Sequence, residues 1–308
     1  MQKREHVTTR RIDARAALIL LACCAAWGFN QVAIKVANQG ISPMLQAGLR
    51  SAVAGVIVLA WAHVRGIPLF ERDGTLWAGI AAGLLFAAEF MLLYVGLEYT
   101  TASRGIIFLY LAPFAVAMGA HLFIPGDRLT WMKVAGLFAA LTGLTVAMGE
   151  GVLAPERPTL LGDLLSVAAA VVWGATTVVV RASALRFVSN EKTLMYQLAV
   201  SAAALPVASW LMGEAGITDL SPRVLIGFGY TVLVVAVVSY LAWFWLVRTY
   251  PPTRLASFTF LSPVFGVLAG LAVLGEEPSL SLGVALVLIG AGIWLVNREY
   301  RFETSAGG

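Results

Sequence analysis

The sequence predicts an all-α integral membrane protein, with ten transmembrane helices arranged as two inverted five-helix repeats and both termini in the cytoplasm (N-in, C-in). Three observations predict it: an apolar composition, a division into spans, and landmarks that recur at a nearly constant offset. Of 308 residues, 59% are hydrophobic and only 12% charged, about half the charge density of a soluble domain. The 30 glycines bring the apolar-or-glycine total to roughly 212, enough for about ten crossings of about 20 residues each. A soluble globule of this composition would expose large sticky patches.

The apolar stretches separate at 16–37, 44–64, 76–97, 102–124 and 131–148, then at 160–180, 194–213, 224–247, 255–274 and 279–296. Each is long enough, or nearly so, to span the hydrocarbon. The connections are short and carry turn signals such as Gly40-Ile41-Ser42-Pro43, Pro125-Gly126-Asp127 and Pro251-Pro252. The expected organisation is a cytoplasmic basic tail (1–15), a first repeat (16–148), an external linker (149–159), a second repeat (160–296) and a cytoplasmic tail (297–308). The first apolar run exceeds 20 residues and lacks a small-residue cleavage site, so it reads as a retained span.

Charge assigns the sides. Lys3, Arg4, Arg10, Arg11 and Arg15 precede or open the first span, opposed only by Glu5 and Asp13. If that tail is cytoplasmic, so are the connections bearing Arg65 and Arg72, Arg128 and Lys133, Arg186 and Lys192, and Arg248 and Arg254. The opposite side has only Arg104, Arg157 and Arg223 in or beside its connections. Basic residues concentrate in cytoplasmic loops, which accounts for the net charge of +4 with no nucleic-acid partner. Cys23 and Cys24 are adjacent, so they point to different helix faces and read as small core residues.

The two sets of five share landmarks. Trp27-Gly28 recurs as Trp173-Gly174, 146 residues later, and Lys35 and Arg181 each follow the tryptophan by eight. Arg104, Leu111 and Pro113 recur at Arg254, Leu261 and Pro263, each shifted by 150. An odd number of spans per half makes the second half enter the membrane from the other side. Such inverted repeats characterise secondary transporters, with the substrate site near the midplane between the halves.

These landmarks resemble the drug/metabolite transporter superfamily, specifically its EamA-type ten-helix members, across essentially all of residues 16–296. The resemblance rests on the repeated Trp-Gly with a downstream base, on Leu109-Tyr110-Leu111-Ala112-Pro113, and on Phe260-Leu261-Ser262-Pro263. A Gly-Glu-x-Leu type of turn follows in each half, here Gly126-Asp127-Arg128-Leu129 and Gly275-Glu276-Glu277-Pro278, neither copy being complete. The resemblance implies a multi-pass protein of the bacterial cytoplasmic (inner) membrane that exports small metabolites, amino acids including aromatic ones foremost, with no cofactor. Its partners would be that substrate and membrane lipids.

Deep polar residues are the first candidates, since ionisable groups within a span usually face a bundle interior or water path. Glu89 sits mid-span in Phe86-Ala87-Ala88-Glu89-Phe90 and could bind a substrate ammonium or a coupling proton, or be held by Lys35, Arg50 or Asn30 for packing. Asn30 lies three residues after Trp27, and its counterpart is Thr176; both could contact substrate or simply bond between helices. Lys35 and Arg50 near span ends are explained by snorkelling, unless one meets a substrate carboxylate.

Aromatics supply the rest. Phe90 and Tyr94 flank Glu89 at helical spacing, and Tyr240, Trp243 and Phe244 share a face. Tyr110 and Phe260 each stand three residues before a proline. With Trp27 and Trp173, these suggest a cavity for an apolar or aromatic ligand with a small polar head. Pro113 and Pro263 lack an N–H, which would deprive the carbonyls of Leu109 and Thr259 of partners and make paired hinges. Gly136, Gly143, Gly290 and Gly292 predict close approach of the fifth and tenth spans, within one chain or between two, so a monomer or a homodimer fits.

Only His6, His63 and His121 occur, giving no metal cluster, and no P-loop supports ATP-driven transport by this chain alone. An exporter of other drugs or metabolites is the nearest alternative reading. A passive channel and a membrane-embedded enzyme acting on lipid-linked substrates are more distant ones.

Overall fold

In the computed structural model, residues 12–100, 102–148, 160–274 and 280–298 are described. The described chain is helical throughout, apart from turns and one isolated bridge between Ile41 and Ile217. Helices satisfy their own backbone polar groups, as hydrocarbon requires. α1 (Ala14–Ala37), α2 (Pro43–Val64) and α3 (Leu76–Tyr99) are continuous. α4 (Ala102–Leu109) and α5 (Ala112–Phe123) divide the next apolar stretch, and α6 (Trp131–Met148) follows. Then come α7 (Leu160–Ala182) and α8 (Asn190–Leu211). α9 (Pro222–Tyr230) runs through a π-helical stretch, Thr231–Ser239, into α10 (Tyr240–Thr249). α11 (Pro252–Phe258), α12 (Leu261–Leu274) and α13 (Leu280–Arg298) complete the order.

Seven helical stretches among the described residues are long and apolar enough to cross a membrane, with α4–α5 one such stretch and α9–α10 another. α6 and α13 are shorter apolar helices, and α11 and α12 share the apolar stretch expected as a ninth span. This is a multi-pass membrane protein.

Two stretches expected as single helices are broken, and the breaks lie ahead of the prolines. Tyr110 and Leu111 separate α4 from α5; Thr259 and Phe260 separate α11 from α12. Pro113 sits in the first turn of α5, where a missing N–H costs no helical bond. The expected orphaning of the Thr259 carbonyl does not occur, because the Ser262 N–H donates to it at 2.9 Å. A tighter turn thus satisfies the group that a straight helix would have lost.

Helix packing follows small residues. α6 lies along α13, α3 along α7 and α8, α2 along α8, α1 along α12 and α9, and α5 along α7. A Cβ on Gly28 would fall 2.6 Å from the Ser262 carbonyl and the Gly266 N, so α1 presses directly on α12. Gly174 presses on Ala115 and Val116 in the same manner. Gly136 meets Gly292, and Gly143 meets Ala285 and Ile289, which makes α6 and α13 antiparallel. Gly290, expected at that seam, faces open space instead. Gly48 meets Pro206 and Gly55 meets Leu198, so α2 and α8 are antiparallel too.

Polar ties close the ends. At the start of α2, the Glu214 carboxylate accepts from the Met44 and Leu45 N–H groups at 3.0 and 3.1 Å and from Ser209 Oγ at 2.7 Å. Beside it Ser42 N donates to the Gly216 carbonyl and Gly216 N to Ser42 Oγ, both at 2.9 Å, in a turn that needs the positive φ of 81° at Gly216. At the start of α8, Lys192 Nζ binds Asp73 and the Glu71 carbonyl, each at 2.8 Å. The Lys192 and Thr75 hydrogen bonds hold the Asp73 carboxyl down at about 2.

Candidate functional site

Among the described residues the buried apolar side chains form three clusters. The largest joins α1, α2, α7, α8, α10 and α11 through Leu20, Val58, Val180, Leu198, Phe244 and Leu255, with Trp27 and Tyr240 packed on it. A second contains Tyr110, Leu137, Leu144, Phe260 and Ile289, with Trp173 against it. A small third one, Met44, Ala47, Ala87 and Leu205, supports Phe90 and Tyr94.

The helical period of α3 sets Phe86, Phe90 and Tyr94 in one row, with ring centroids 5.1 and 6.1 Å apart. Tyr240, the first residue of α10, meets Phe86 edge-on at 5.8 Å. Trp27 reaches across from α1, donating from Nε1 to Ser239 Oγ at 2.8 Å and meeting Trp243 edge-on at 5.4 Å. The π-helical stretch thus delivers Ser239, Tyr240 and Trp243 to this group. Glu89 lies on the same helix, half-buried.

Arg50 corrects the snorkelling expectation. It is only 3% exposed, and its guanidinium stands 4.7 Å over the Phe90 ring. Its charge acts on Glu89, Tyr94 and Tyr240, while Nε and Nη2 have no hydrogen-bond partner. Lys35 is exposed, as snorkelling requires. The signal for Arg50 was present in the sequence: Gln46 and Arg50, four apart, form a polar stripe on one face of α2, and both are buried.

The remaining candidates divide. Asn30 is buried with Oδ1 unpartnered. Thr176 and Thr177 donate back to the Val172 and Trp173 carbonyls of their own helix, so neither hydroxyl proton is spare. Phe244 is buried in the largest cluster. Tyr110 and Phe260, each at a helix break, are 6.0 Å apart, and Trp173 meets Tyr110 edge-on at 6.0 Å. Pro113 and Pro263 are both buried beside these breaks. Cys23 and Cys24 are buried free thiols directed at the Ser239 and Phe258 carbonyls. Among the described residues no group of three or more His, Cys, Asp or Glu side chains could hold a metal.

An ionic latch went unnoticed in the sequence. Asp163, at the start of α7, receives Arg104 Nε and Nη2 at 3.2 and 2.6 Å and Thr100 Oγ1 at 2.7 Å. Shifted by the same 150, Asp163 corresponds to Asp13 in the first half, and Arg104 and Thr100 correspond to Arg254 and Tyr250 in the second. Tyr250 does donate from its hydroxyl to Asp13 at 2.9 Å. The offset that related the prolines would have found the pair.

A bundle of apolar helices with two broken spans and a deep cluster of aromatic and ionisable side chains defines a polytopic membrane protein built around a polar interior. The EamA-like transporter family matches residues 14–149 and 160–298, and the chain belongs to that family. It is 27% identical to the uncharacterized transporter YvbV of Bacillus subtilis (strain 168), over 95% of this chain and 94% of that one. It is 26% identical to a probable amino-acid metabolite efflux pump of Salmonella typhimurium (strain LT2), over 96% and 98% of the two chains. The inner membrane transporter YedA of Escherichia coli (strain K12), itself uncharacterized, is 26% identical over 90% of each chain. A solved crystal structure shares the fold with a TM-score of 0.81 at 20% identity, covering 95% of this chain and all of its own.

Proposed function

We propose that this protein exports small metabolites, amino acids including aromatic ones foremost, across the bacterial inner membrane by alternating access around a midplane cavity. The observation that carries the reading is the packing pattern. Exchanging each helix of one half for its counterpart in the other turns the α1–α12 contact into α7–α5 and the α3–α7 contact into α9–α1. The α2–α8 and α6–α13 pairs map onto themselves. Since those self-paired helices are antiparallel, the relating axis lies across the helices, as in inverted repeats. The double family match and the latch residues shifted by 150 support the same division into 16–148 and 160–296, ten spans in all. The basic loops support cytoplasmic termini.

In this reading Trp27, Asn30, Glu89, Phe90, Tyr94, Tyr240 and Trp243 form one side of the substrate path. Tyr110, Trp173, Thr176 and Phe260 form the other, and Phe244 backs the first group. The breaks beside Pro113 and Pro263 are the hinges. The name of the Salmonella relative supports amino-acid metabolites as cargo. Glu89 remains the group through which a proton would couple. Efflux of labelled amino acids from proteoliposomes tests the proposal: saturable flux above protein-free vesicles is expected, and its absence for every amino acid overturns the substrate class. Flux without saturation would instead mark a channel.

A further inference from the structure

We propose that the Nε–Nη2 edge of Arg50 binds the carboxylate of a zwitterionic substrate whose ammonium group is taken by Glu89. The inference rests on the export reading above and assigns the ligand's head group within it. Three observations carry it.

The first is the unpartnered edge. Arg50 lies two turns inside α2 and is 3% exposed, so water at the membrane surface does not reach its guanidinium freely. Both Nε and Nη2 are buried without a hydrogen-bond partner. A buried guanidinium in that condition is costly, and the cost is relieved by an anion that accepts from both groups.

The second is a comparison inside the same chain. Arg104 uses the same edge, Nε and Nη2 together, to grip the two oxygens of Asp163 at 3.2 and 2.6 Å. The planar fork matches a carboxylate two bonds at a time. Asp163 is provided by the protein for Arg104; among the described residues no such group is directed to the Arg50 edge.

The third is the neighbourhood. Phe90 underlies the guanidinium at 4.7 Å, an attraction to the ring face that occupies no N–H acceptor and leaves the Nε–Nη2 edge for bonding. Glu89 is the adjacent residue on α3, and its charge and that of Arg50 act on each other. Tyr94 and Tyr240 lie in the same field, Tyr240 hydrogen-bonded to Arg50, and the Glu214 carboxylate, which caps α2, acts on Tyr94 as well. With Glu214 engaged by Met44, Leu45 and Ser209, the Arg50 cation and the Glu89 carboxylate together favour a ligand carrying both signs over a simple anion. The row of Phe86, Phe90 and Tyr94 then suits an apolar or aromatic side chain.

The experiment uses the full chain in proteoliposomes, with labelled phenylalanine as the probe and unlabelled phenylalanine or phenylalaninamide as competitor. Phenylalaninamide keeps the ring and ammonium but lacks the carboxylate. The wild type is expected to favour the acid over the amide by about tenfold or more, the size of a lost charged hydrogen-bond pair. Arg50→Gln should raise the half-saturating phenylalanine concentration by a similar factor and remove the preference. Arg50→Lys, which keeps the charge without the fork, should fall between. Thermal unfolding with phenylpropionate and with its amide reports binding independently of flux: the acid should stabilise the wild type and not Arg50→Gln. If either folded Arg50 variant keeps the wild-type preference for the acid in flux and in thermal shift, the assignment is overturned while export stands. If the wild type moves no amino acid, the export reading fails, and equal thermal shifts by acid and amide then overturn the assignment as well.

Discussion

Glu89 and Lys35 show how residue-scale reading succeeds and fails. Both are ionisable and both lie in apolar helices, yet Lys35 is exposed and Glu89 is half-buried beside a deeply buried Arg50. Side-chain length decides the difference: a lysine near a helix end can reach water, whereas a mid-helix carboxylate cannot. Glu89→Gln keeps the shape and removes the titrating group. The expected outcome is a flux whose pH dependence flattens between about pH 5 and 8; a profile identical to the wild type would remove the proton role. Arg50 escaped this logic because distance along the helix says little about direction. Its side chain turns towards Phe90 rather than towards the near surface, and only the neighbouring helices determine that. Asn30 and Thr176 occupy equivalent positions, but the threonine spends its donor on its own helix at 3.0 Å.

At the scale of elements, the repeated Trp-Gly has a mechanical reason. The glycine lets α1 and α7 lie against broken helices with almost no side chain between, as small residues do in membrane bundles. Gly28→Val is expected to cost about 1–3 kcal/mol by overpacking against the Ser262 carbonyl and Gly266. Thermal unfolding in detergent measures it, and Gly290→Val, facing open space, is the neutral control. The spans themselves were legible because apolar length is written directly in the sequence. The breaks were legible only as proline: their position, and the turn that rescues the Thr259 carbonyl, depend on local bonding that composition does not encode. The π-helical stretch Thr231–Ser239 had no signal, since its residues are an ordinary β-branched apolar run. Asp73 and Lys192 tie the connection before α3 to the start of α8. Because the Asp73 carboxyl is held at about 2, below its ordinary value near 4, the tie contributes above the ordinary value and is lost as pH falls through the lower one. The difference in unfolding midpoint between wild type and Asp73→Asn should therefore be constant from about pH 5 to 8 and disappear towards pH 2.

For the whole molecule, each end has its own fastening: at one, backbone pairing and a capping carboxylate around Ser42, Glu214 and Gly216 together with the Arg104–Asp163 pair, and at the other the Asp73–Lys192 pair. Under the alternating access proposed above, these fastenings open in turn. Ile41 and Ile217 face each other across an isolated antiparallel bridge, a separation that suits a disulfide. Ile41→Cys with Ile217→Cys should form one under oxidation and cut flux about tenfold or more, with recovery on reduction; undiminished flux in the cross-linked protein would show that this end does not open during transport. The same fastening sets a clock on synthesis. Met44 and Glu214 are 170 residues apart, so a ribosome adding about 5–20 residues per second needs roughly ten to thirty seconds to supply the carboxylate that α2 awaits. During that interval the newborn first half carries an open helix end, and the last third of the chain is what closes it.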